Sequence, residues 1–131
     1  AYKLQASEKS YADFTLTITD PGGHSSTPGA SNAIARLGLV AARIAGHRWP
    51  AQVDAITRAS LAAAGAARND ALGAAMRRFA EDPTDAAAIA TLRAHPGTIG
   101  QIGTTCVPTM VSGGHAPNAL PQRATLTVNC R

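Results

Sequence analysis

Residues 11–28 have the sequence YADFTLTITDPGGHSSTP, and this stretch decides how the fold begins. In its first nine residues Phe14, Leu16 and Ile18 alternate with threonines. Strict alternation is typical of a strand with one buried face, so we predict a half-buried antiparallel strand over residues 11–19. Asp-Pro then ends the strand, and GGHSSTP follows as a loop at residues 22–28.

A change of period after this loop predicts a helix. Between residues 31 and 45 the apolar side chains recur at helical spacing, and Gly46 is placed to end the helix. The apolar positions are Ile34, Leu37, Ala41 and Ile44. The chain therefore runs from a strand through a histidine-containing loop into a helix.

Residues 51–94 differ in kind, because seventeen of these positions are alanine. Alanine is the best helix former, so we expect two or three short helices here. The last should begin near Thr84 or Asp85 and stop before His95 and Pro96. We interpret this Ala-rich block, about residues 50–95, as a helical insertion that Gly65, Gly73 and the EDPTD stretch at residues 81–85 interrupt.

Strand character returns in residues 98–111 and 119–131, with SGGHAPN between them as a turn. The two segments are most simply a long hairpin. Pro108 and Pro121 lack the N–H that a ladder needs, so each should lie at a strand end, a bulge or an edge. The fold class predicted is α+β, an antiparallel sheet with helices on one face.

Composition excludes several classes of function. The net charge of +4 comes from scattered basic residues that form no stripe and have no aromatic partners, so we expect no nucleic-acid partner and interpret the charge as ordinary solvation. No apolar stretch is long enough to span a membrane, and no membrane partner is expected. Neither composition nor motifs assign a cytoplasmic, secreted or periplasmic location.

Cysteine and histidine spacing points away from a metal site in this segment. Cys106 and Cys130 belong to no CxxC motif, and their surroundings favour free buried thiols in strands. The four histidines, at 24, 47, 95 and 115, are far apart and have no acidic residue at ligand spacing. We therefore predict no metal here.

Two motifs about ninety residues apart, GGHSSTP at 22–28 and SGGHAPNALPQRATLTVNCR at 112–131, carry a family resemblance. Together they resemble the dimerisation, or lid, domain of the co-catalytic zinc peptidases and amidohydrolases. That family includes aminoacylase, carnosinase, glutamate carboxypeptidase and succinyl-diaminopimelate desuccinylase. The Ala-rich block and the TTC strand are most similar to the carboxypeptidase S branch.

The resemblance implies that residues 1–131 form a ferredoxin-like lid domain with an Ala-rich insertion, and that the catalytic zinc domain is not part of this sequence. Two zinc ions and a general base would belong to that domain, so the segment alone should be inactive. The implied partners are a second copy of the lid, the catalytic domain, and a short peptide or N-acyl amino acid whose amide bond is cleaved.

The resemblance also assigns roles to a histidine and an asparagine. His24 matches a histidine that reaches into the partner subunit's site and donates a hydrogen bond to the scissile carbonyl oxygen. The alternative is a loop histidine that only bonds its neighbouring serines. Asn118 matches an asparagine that contacts the substrate carbonyl or amide, although an Asx turn would also place asparagine there.

Gly113, Gly114 and Arg131 complete the expected substrate contacts. The glycine pair matches one whose amides line the substrate pocket, and alone it would be an ordinary hairpin turn. Arg131 matches an arginine that grips a substrate carboxylate, whereas most strand-end arginines are only solvated.

Family lids continue after that arginine with a second crossover helix and a fourth strand, whereas this chain ends at Arg131. The sheet is therefore expected to be incomplete, and an open edge favours pairing with another chain. A purely structural oligomerisation module, without a role in chemistry, is the alternative function.

Overall fold

The computed structural model describes residues 8–131. These residues divide into two compact units. The sheet unit comprises Ser10–Arg48 and Cys106–Arg131, and the helical unit comprises Trp49–Thr105 with the short segment that ends at Lys9.

The sheet unit contains one main sheet, one short ribbon and one helix. The main strands are β1 (Ala12–Thr19), β3 (Cys106–Gly113) and β5 (Arg123–Cys130). Two-residue strands β2 (Gly23–His24) and β4 (Ala119–Leu120) form the ribbon, and α1 spans Ala33–Gly46. The predicted α+β class, the first strand and the first helix are confirmed.

β5 lies in the middle of the main sheet, in the order β1-β5-β3, and both pairings are antiparallel. β3 and β5 form the predicted hairpin. The register shifts between Pro108 and Met110 on the outer strand β3, so Pro108 lies at a bulge on an edge strand, as its missing N–H requires. Pro121 separates β4 from β5, which confirms the second proline prediction.

Helix α1 packs on one face of this sheet. Ala33 and Leu37 are buried against alternate residues of β5, namely Ala124, Leu126 and Val128. The helix begins at Asn32, whose Oδ1 accepts a hydrogen bond from the Ala35 N–H at 3.1 Å. Because the core-facing residues of β5 alternate, Arg123 and Thr125 lie on the opposite, open face of the sheet.

The helical unit consists of α2 (Ala55–Ala66), α3 (Ala71–Glu81), α4 (Ala86–Arg93) and the single turn α5 (Pro96–Ile99). The first three each begin after an aspartate whose carboxylate accepts a backbone N–H; the aspartates are Asp54, Asp70 and Asp85. The core contains Leu61, Phe79, Leu92 and Ile102, each at most 1% exposed.

Gly65 and Gly73 lie inside helices and do not interrupt them. A Cβ on Gly65 would lie 2.8 Å from the carbonyl oxygen of Gly73, and one on Gly73 would lie 2.6 Å from the Cβ of Arg68. The two glycines therefore allow α2 and α3 to approach closely, and the expectation that they break the alanine-rich helices was wrong.

Several arginines of the helical unit do more than solvate the surface. Arg58 donates to the carbonyl oxygens of Ala80 and Glu81, and Arg77 donates to those of Gly65 and Arg68. Gly65, Ala80 and Glu81 lie in the last turns of α2 and α3, where carbonyls have no intrahelical partner, and Arg68 lies in the loop between the two helices. The interpretation of the basic residues as ordinary solvation is corrected for these two.

Two further expectations from the sequence were wrong. Residues 98–105 are not strand: Pro96 opens the short helix α5, and β3 begins only at Cys106. Cys106 and Cys130 are not free thiols, because they lie opposite each other in the β3–β5 register and form a disulfide. Among residues 8–131, no helix is both long and apolar enough to cross a membrane.

Candidate functional site

The ribbon β2–β4 brings the two sequence motifs together at one corner of the sheet unit. His24 pairs with Ala119, and the Ser25 N–H donates to the carbonyl oxygen of Asn118 at 2.9 Å. Residues 94 positions apart in sequence therefore share one exposed corner. We call His24 and Asn118 the donor pair.

Backbone conformation at the start of the loop requires glycine. Gly22 and Gly23 have φ values of 77° and 152°, in the region that other residues rarely adopt. A Cβ on Gly22 would also lie 2.8 Å from Cγ of Gln122. The two glycines thus allow the chain to turn sharply after β1 and present His24 on β2.

The imidazole of His24 is exposed, and its Nδ1 is held by its own loop. The Ser26 N–H donates to Nδ1 at 3.2 Å, and the Ser26 hydroxyl lies 2.7 Å from the same nitrogen. A ring nitrogen that accepts a hydrogen bond carries no proton, so the neutral ring has its proton on Nε2. His24 therefore presents an N–H donor on the side away from Ser26.

The carboxamide of Asn118 supplies a second donor beside the first. Its Nδ2 lies 3.4 Å from Nε2 of His24. Two N–H donors cannot satisfy each other, but an oxygen about 2.9 Å from each nitrogen could accept from both. The donor pair has the arrangement of a site for a negatively charged or strongly polarised oxygen.

Gly113 and Gly114 lie at the same end of the main sheet as the donor pair. Gly113 ends β3, where a Cβ would lie 3.0 Å from the Cβ of Ala124, and Gly114 turns away with a φ of 87°. Both line an open pocket of about 480 Å³ together with His115 and Arg123. We call this the Arg123 pocket.

Arg131 lies at the opposite end of the sheet from the donor pair. It follows Cys130, which pairs with Ala12 at the start of β1, whereas Arg123 pairs with Thr19 at its end. An eight-residue strand spans roughly 25 Å. The guanidinium of Arg131 lies 5.1 Å from the ring centre of Tyr11, and its Nε donates to Asn129. Within a single chain, Arg131 is therefore too far from the donor pair to share a site with it.

The comparison with known families agrees with the juxtaposition of the two motifs. The family model for the peptidase dimerisation domain of the M20 peptidases matches residues 6–131. The chain belongs to this family. Searches of curated proteins and of solved structures each gave no significant match. The M20 dimerisation domain is a dimerisation module of a peptidase, and this function implies self-association.

The match specifies the domain but no branch of the family, so it does not support the similarity to carboxypeptidase S. The resemblance places zinc in the catalytic domain and not in the dimerisation domain. Within residues 8–131 no group of three or more histidine, cysteine, aspartate or glutamate side chains could hold a metal ion. The described residues do not fit a zinc site.

Sequence reasoning missed two residues near the donor pair. Asp20 accepts hydrogen bonds from the Gly22 N–H and the Ser31 hydroxyl, and so joins the two ends of the loop that carries His24. Arg123 lines the Arg123 pocket beside Gly113 and Gly114. For Asp20, its place directly before Pro-Gly was an available signal. Arg123 lies inside the motif at residues 112–131, but the resemblance assigned a role to Arg131 and none to Arg123.

Proposed function

We propose that this dimerisation domain belongs to an enzyme that cleaves the amide bond of short peptides or N-acyl amino acids. In this proposal residues 1–131 form the lid, with the insertion at about 50–95, and the donor pair contacts the scissile carbonyl oxygen in the partner subunit's site. The observation that carries it is the 3.4 Å separation of Nε2 of His24 and Nδ2 of Asn118.

The chemistry follows from the charge that develops during amide cleavage. When a nucleophile attacks the carbonyl carbon, the oxygen gains negative charge, and donors already directed at it stabilise the transition state more than the substrate. His24 is held by Ser26, and the paired ribbon holds Asn118, so little reorganisation is needed. Loss of one such donor costs about 3 to 4 kcal/mol of barrier, or 10²- to 10³-fold in kcat.

Zinc dependence, which the resemblance implies, concerns the catalytic domain of the parent enzyme. In this proposal the lid contributes hydrogen-bond donation, positioning and dimerisation. Arg131 and the donor pair lie at opposite ends of the sheet. If Arg131 contacts a substrate carboxylate, as the resemblance implies, it therefore does so at a site separate from the donor pair of the same chain.

Kinetics of the parent enzyme test the donor pair. His24→Ala and Asn118→Ala should each lower kcat 10²- to 10³-fold, with little change in KM. His47→Ala, a histidine at the end of α1, serves as the matched control and should keep the wild-type kcat. A wild-type kcat in the His24 variant would remove His24 from the mechanism.

Mixed dimers test action in the partner's site. One subunit carries an inactivated catalytic domain with a wild-type lid, and the other carries an intact catalytic domain with His24→Ala. If His24 serves the partner's site, the intact centre receives the wild-type histidine and the dimer retains activity. An inactive mixed dimer would mean that His24 serves its own subunit.

One observation favours the purely structural alternative. Nδ1 of His24 contacts Ser26 of its own loop, and a loop histidine without any chemical role would make the same contact. In that case His24→Ala would lower the stability of the corner and leave kcat unchanged. The kinetics above therefore separate the two functions.

We further propose that the second copy binds at the β3 edge. Val107, Met110 and Val111 on this strand are 55%, 69% and 74% exposed, and β3 has no charged side chain. An apolar groove of about 540 Å³ separates β3 from the side of α1 that carries Ile34 and Gly38. The α1 arginines, Arg36 and Arg43, lie on the other side of the helix.

An uncharged edge strand beside an apolar groove favours strand pairing with a copy of itself, because the unpaired N–H and C=O groups of both edges would then be satisfied. Sedimentation of the chain tests this surface. Val111→Lys should convert the dimer to monomer, and Phe14→Lys, on the opposite edge strand β1, is the matched control. A dimer lost in the Phe14 variant but kept in the Val111 variant would place the interface at β1.

A further inference from the structure

The Arg123 pocket has the chemistry of an anion site. It opens on the sheet face opposite α1, and its walls include Gly113, Gly114, His115, Arg123 and the hydroxyl residues Ser112 and Thr125. None of the residues that line it is acidic. Its only side chains that can carry charge are an arginine, which is always cationic, and a histidine.

The guanidinium of Arg123 is available to a ligand. Within the described residues 8–131 it forms no hydrogen bond or ion pair. Arg131 differs, because its guanidinium already contacts Asn129 and Tyr11. Arg123 begins β5 and Arg131 follows it, and of these two arginines Arg123 is the one whose five donors are free to bind an anion.

The floor of the pocket adds hydroxyl groups. The side-chain oxygens of Ser112 and Thr125 lie 2.6 Å apart across the β3–β5 pair. One of them donates to the other, which leaves the second hydroxyl proton to donate elsewhere. A carboxylate held by Arg123 would thus find a further neutral donor nearby.

We propose that the Arg123 pocket binds a small carboxylate, with the Arg123 guanidinium donating to both carboxylate oxygens. The planar fork of arginine matches the two oxygens of a carboxylate, and such bidentate pairs are stronger and more specific than single hydrogen bonds.

The pocket lies at the same end of the sheet as the donor pair. Arg123 pairs with Thr19 at the end of β1, and four residues later Gly23 begins the ribbon that carries His24. That the bound carboxylate belongs to a substrate rests on the proposed function. That the pocket prefers a carboxylate is a property of the chain itself and is tested without catalysis.

Titration of the ¹⁵N-labelled chain with N-acetylglycine, followed by amide chemical shifts, tests the inference. At constant ionic strength, N-acetylglycine should shift the amides of Gly113, Gly114 and Thr125 in a saturable manner. N-acetylglycinamide, which has the same shape without the charge, should not. Arg123→Gln should weaken binding at least 10-fold, since a bidentate charged contact is lost.

Arg36→Gln, on helix α1 at the opposite face of the sheet, is the matched control and should change the affinity less than 2-fold. Arg123→Lys keeps the charge but loses the fork, so intermediate binding is expected, and this variant guards against a folding defect in the glutamine variant. Equal binding of the carboxylate and the amide, or equally tight binding of inorganic phosphate, would overturn the proposal. So would loss of binding in an Arg131→Gln variant with binding kept in the Arg123→Gln variant.

The outcome is independent of the catalytic role of the donor pair. If the chain binds the carboxylate and the His24→Ala parent enzyme keeps a wild-type kcat, the proposed anion site is supported and the proposed role of His24 is rejected. The reverse result would reject the pocket alone.

Discussion

The hydroxyl of Ser31 donates a hydrogen bond to the carboxylate of Asp20, eleven residues earlier in the chain. The other carboxylate oxygen accepts the Gly22 N–H at 3.2 Å. Asp20 thus fastens the residue directly before the α1 cap to the end of β1. The loop between them carries His24, so one half-buried carboxylate fixes both ends of the segment that presents the imidazole.

Removal of this carboxylate should loosen the donor pair. Asp20→Ala is expected to lower the free energy of unfolding by about 1 to 3 kcal/mol, because two donors lose their acceptor. Hydrogen exchange of the Ser25 amide, which donates to Asn118, should become faster. Asp20→Asn keeps an acceptor oxygen and should lose less.

Asp13→Ala is the matched control for this experiment, since Asp13 accepts a hydrogen bond from Asn129 near the other end of the sheet. It should leave exchange of the Ser25 amide unchanged. Unchanged exchange in the Asp20 variant as well would show that the ribbon holds itself without Asp20.

Close packing of α2 on α3 predicts that Gly73 tolerates no side chain. In Gly73→Ala the new methyl group would lie 2.9 Å from the carbonyl oxygen of Arg68, which is backbone and cannot move cheaply. We expect a loss of about 1 to 3 kcal/mol in chemical denaturation. Gly97→Ala, where no atom lies within 4 Å, is the control and should be neutral or stabilising by up to about 1 kcal/mol.

The disulfide predicts a dependence of stability on redox conditions. Cys106 and Cys130, 24 residues apart, join the two strands of the hairpin at the end far from its turn. Closing a loop of this length removes conformational entropy from the unfolded chain worth roughly 3 to 4 kcal/mol. Reductant should lower the denaturation midpoint accordingly. A Cys106→Ser, Cys130→Ser double variant should be equally unstable with and without reductant, and a wild-type midpoint in this variant would contradict the prediction.

Aspartates at the helix starts predict acid sensitivity of the helical unit. The Arg68 guanidinium, with the Gly73 N–H, lowers the pKa of Asp70 to about 2. Hydrogen bonds to backbone N–H groups also lower the pKa of Asp54 and Asp85. The pKa values are lower folded than unfolded, so the stabilisation is full above the ordinary aspartate pKa of about 3.9 and is lost as pH falls towards 2.

Circular dichroism during acid titration measures this loss. The helical signal should decline between about pH 4 and pH 2. Asp70→Asn should be less stable near neutral pH and show a smaller loss in that window. An identical acid transition in the variant and the wild type would mean that Asp70 does not contribute.

Local patterns in the sequence were sufficient for the elements with clear periods. The alternation of Phe14, Leu16 and Ile18 predicted β1, and Asp85 predicted the start of α4, because both signals depend on neighbouring residues only. Residues 98–105 were assigned wrongly since their threonines and isoleucines suit a strand, whereas Pro96 fixes a backbone angle that starts a helical turn.

Long-range features of the site could not be derived in the same way. The motif pair predicted that residues 22–28 and 112–131 act together, and the β2–β4 ribbon confirms that they are neighbours. The pairing of Cys106 with Cys130 depends on the hairpin register, and the separation of Arg131 from His24 depends on strand direction. Neither spacing nor composition contains this information.

The central position of β5 has a consequence for folding during synthesis on the ribosome. β1 is made first, yet its partner is complete only when Cys130 has been synthesised, more than a hundred residues later. Helices α2, α3 and α4 pack on one another through contacts close in sequence, and such contacts form fastest. During synthesis β1 and α1 therefore remain without their β5 partner, accessible to chaperones and to neighbouring chains, while α2, α3 and α4 can already fold.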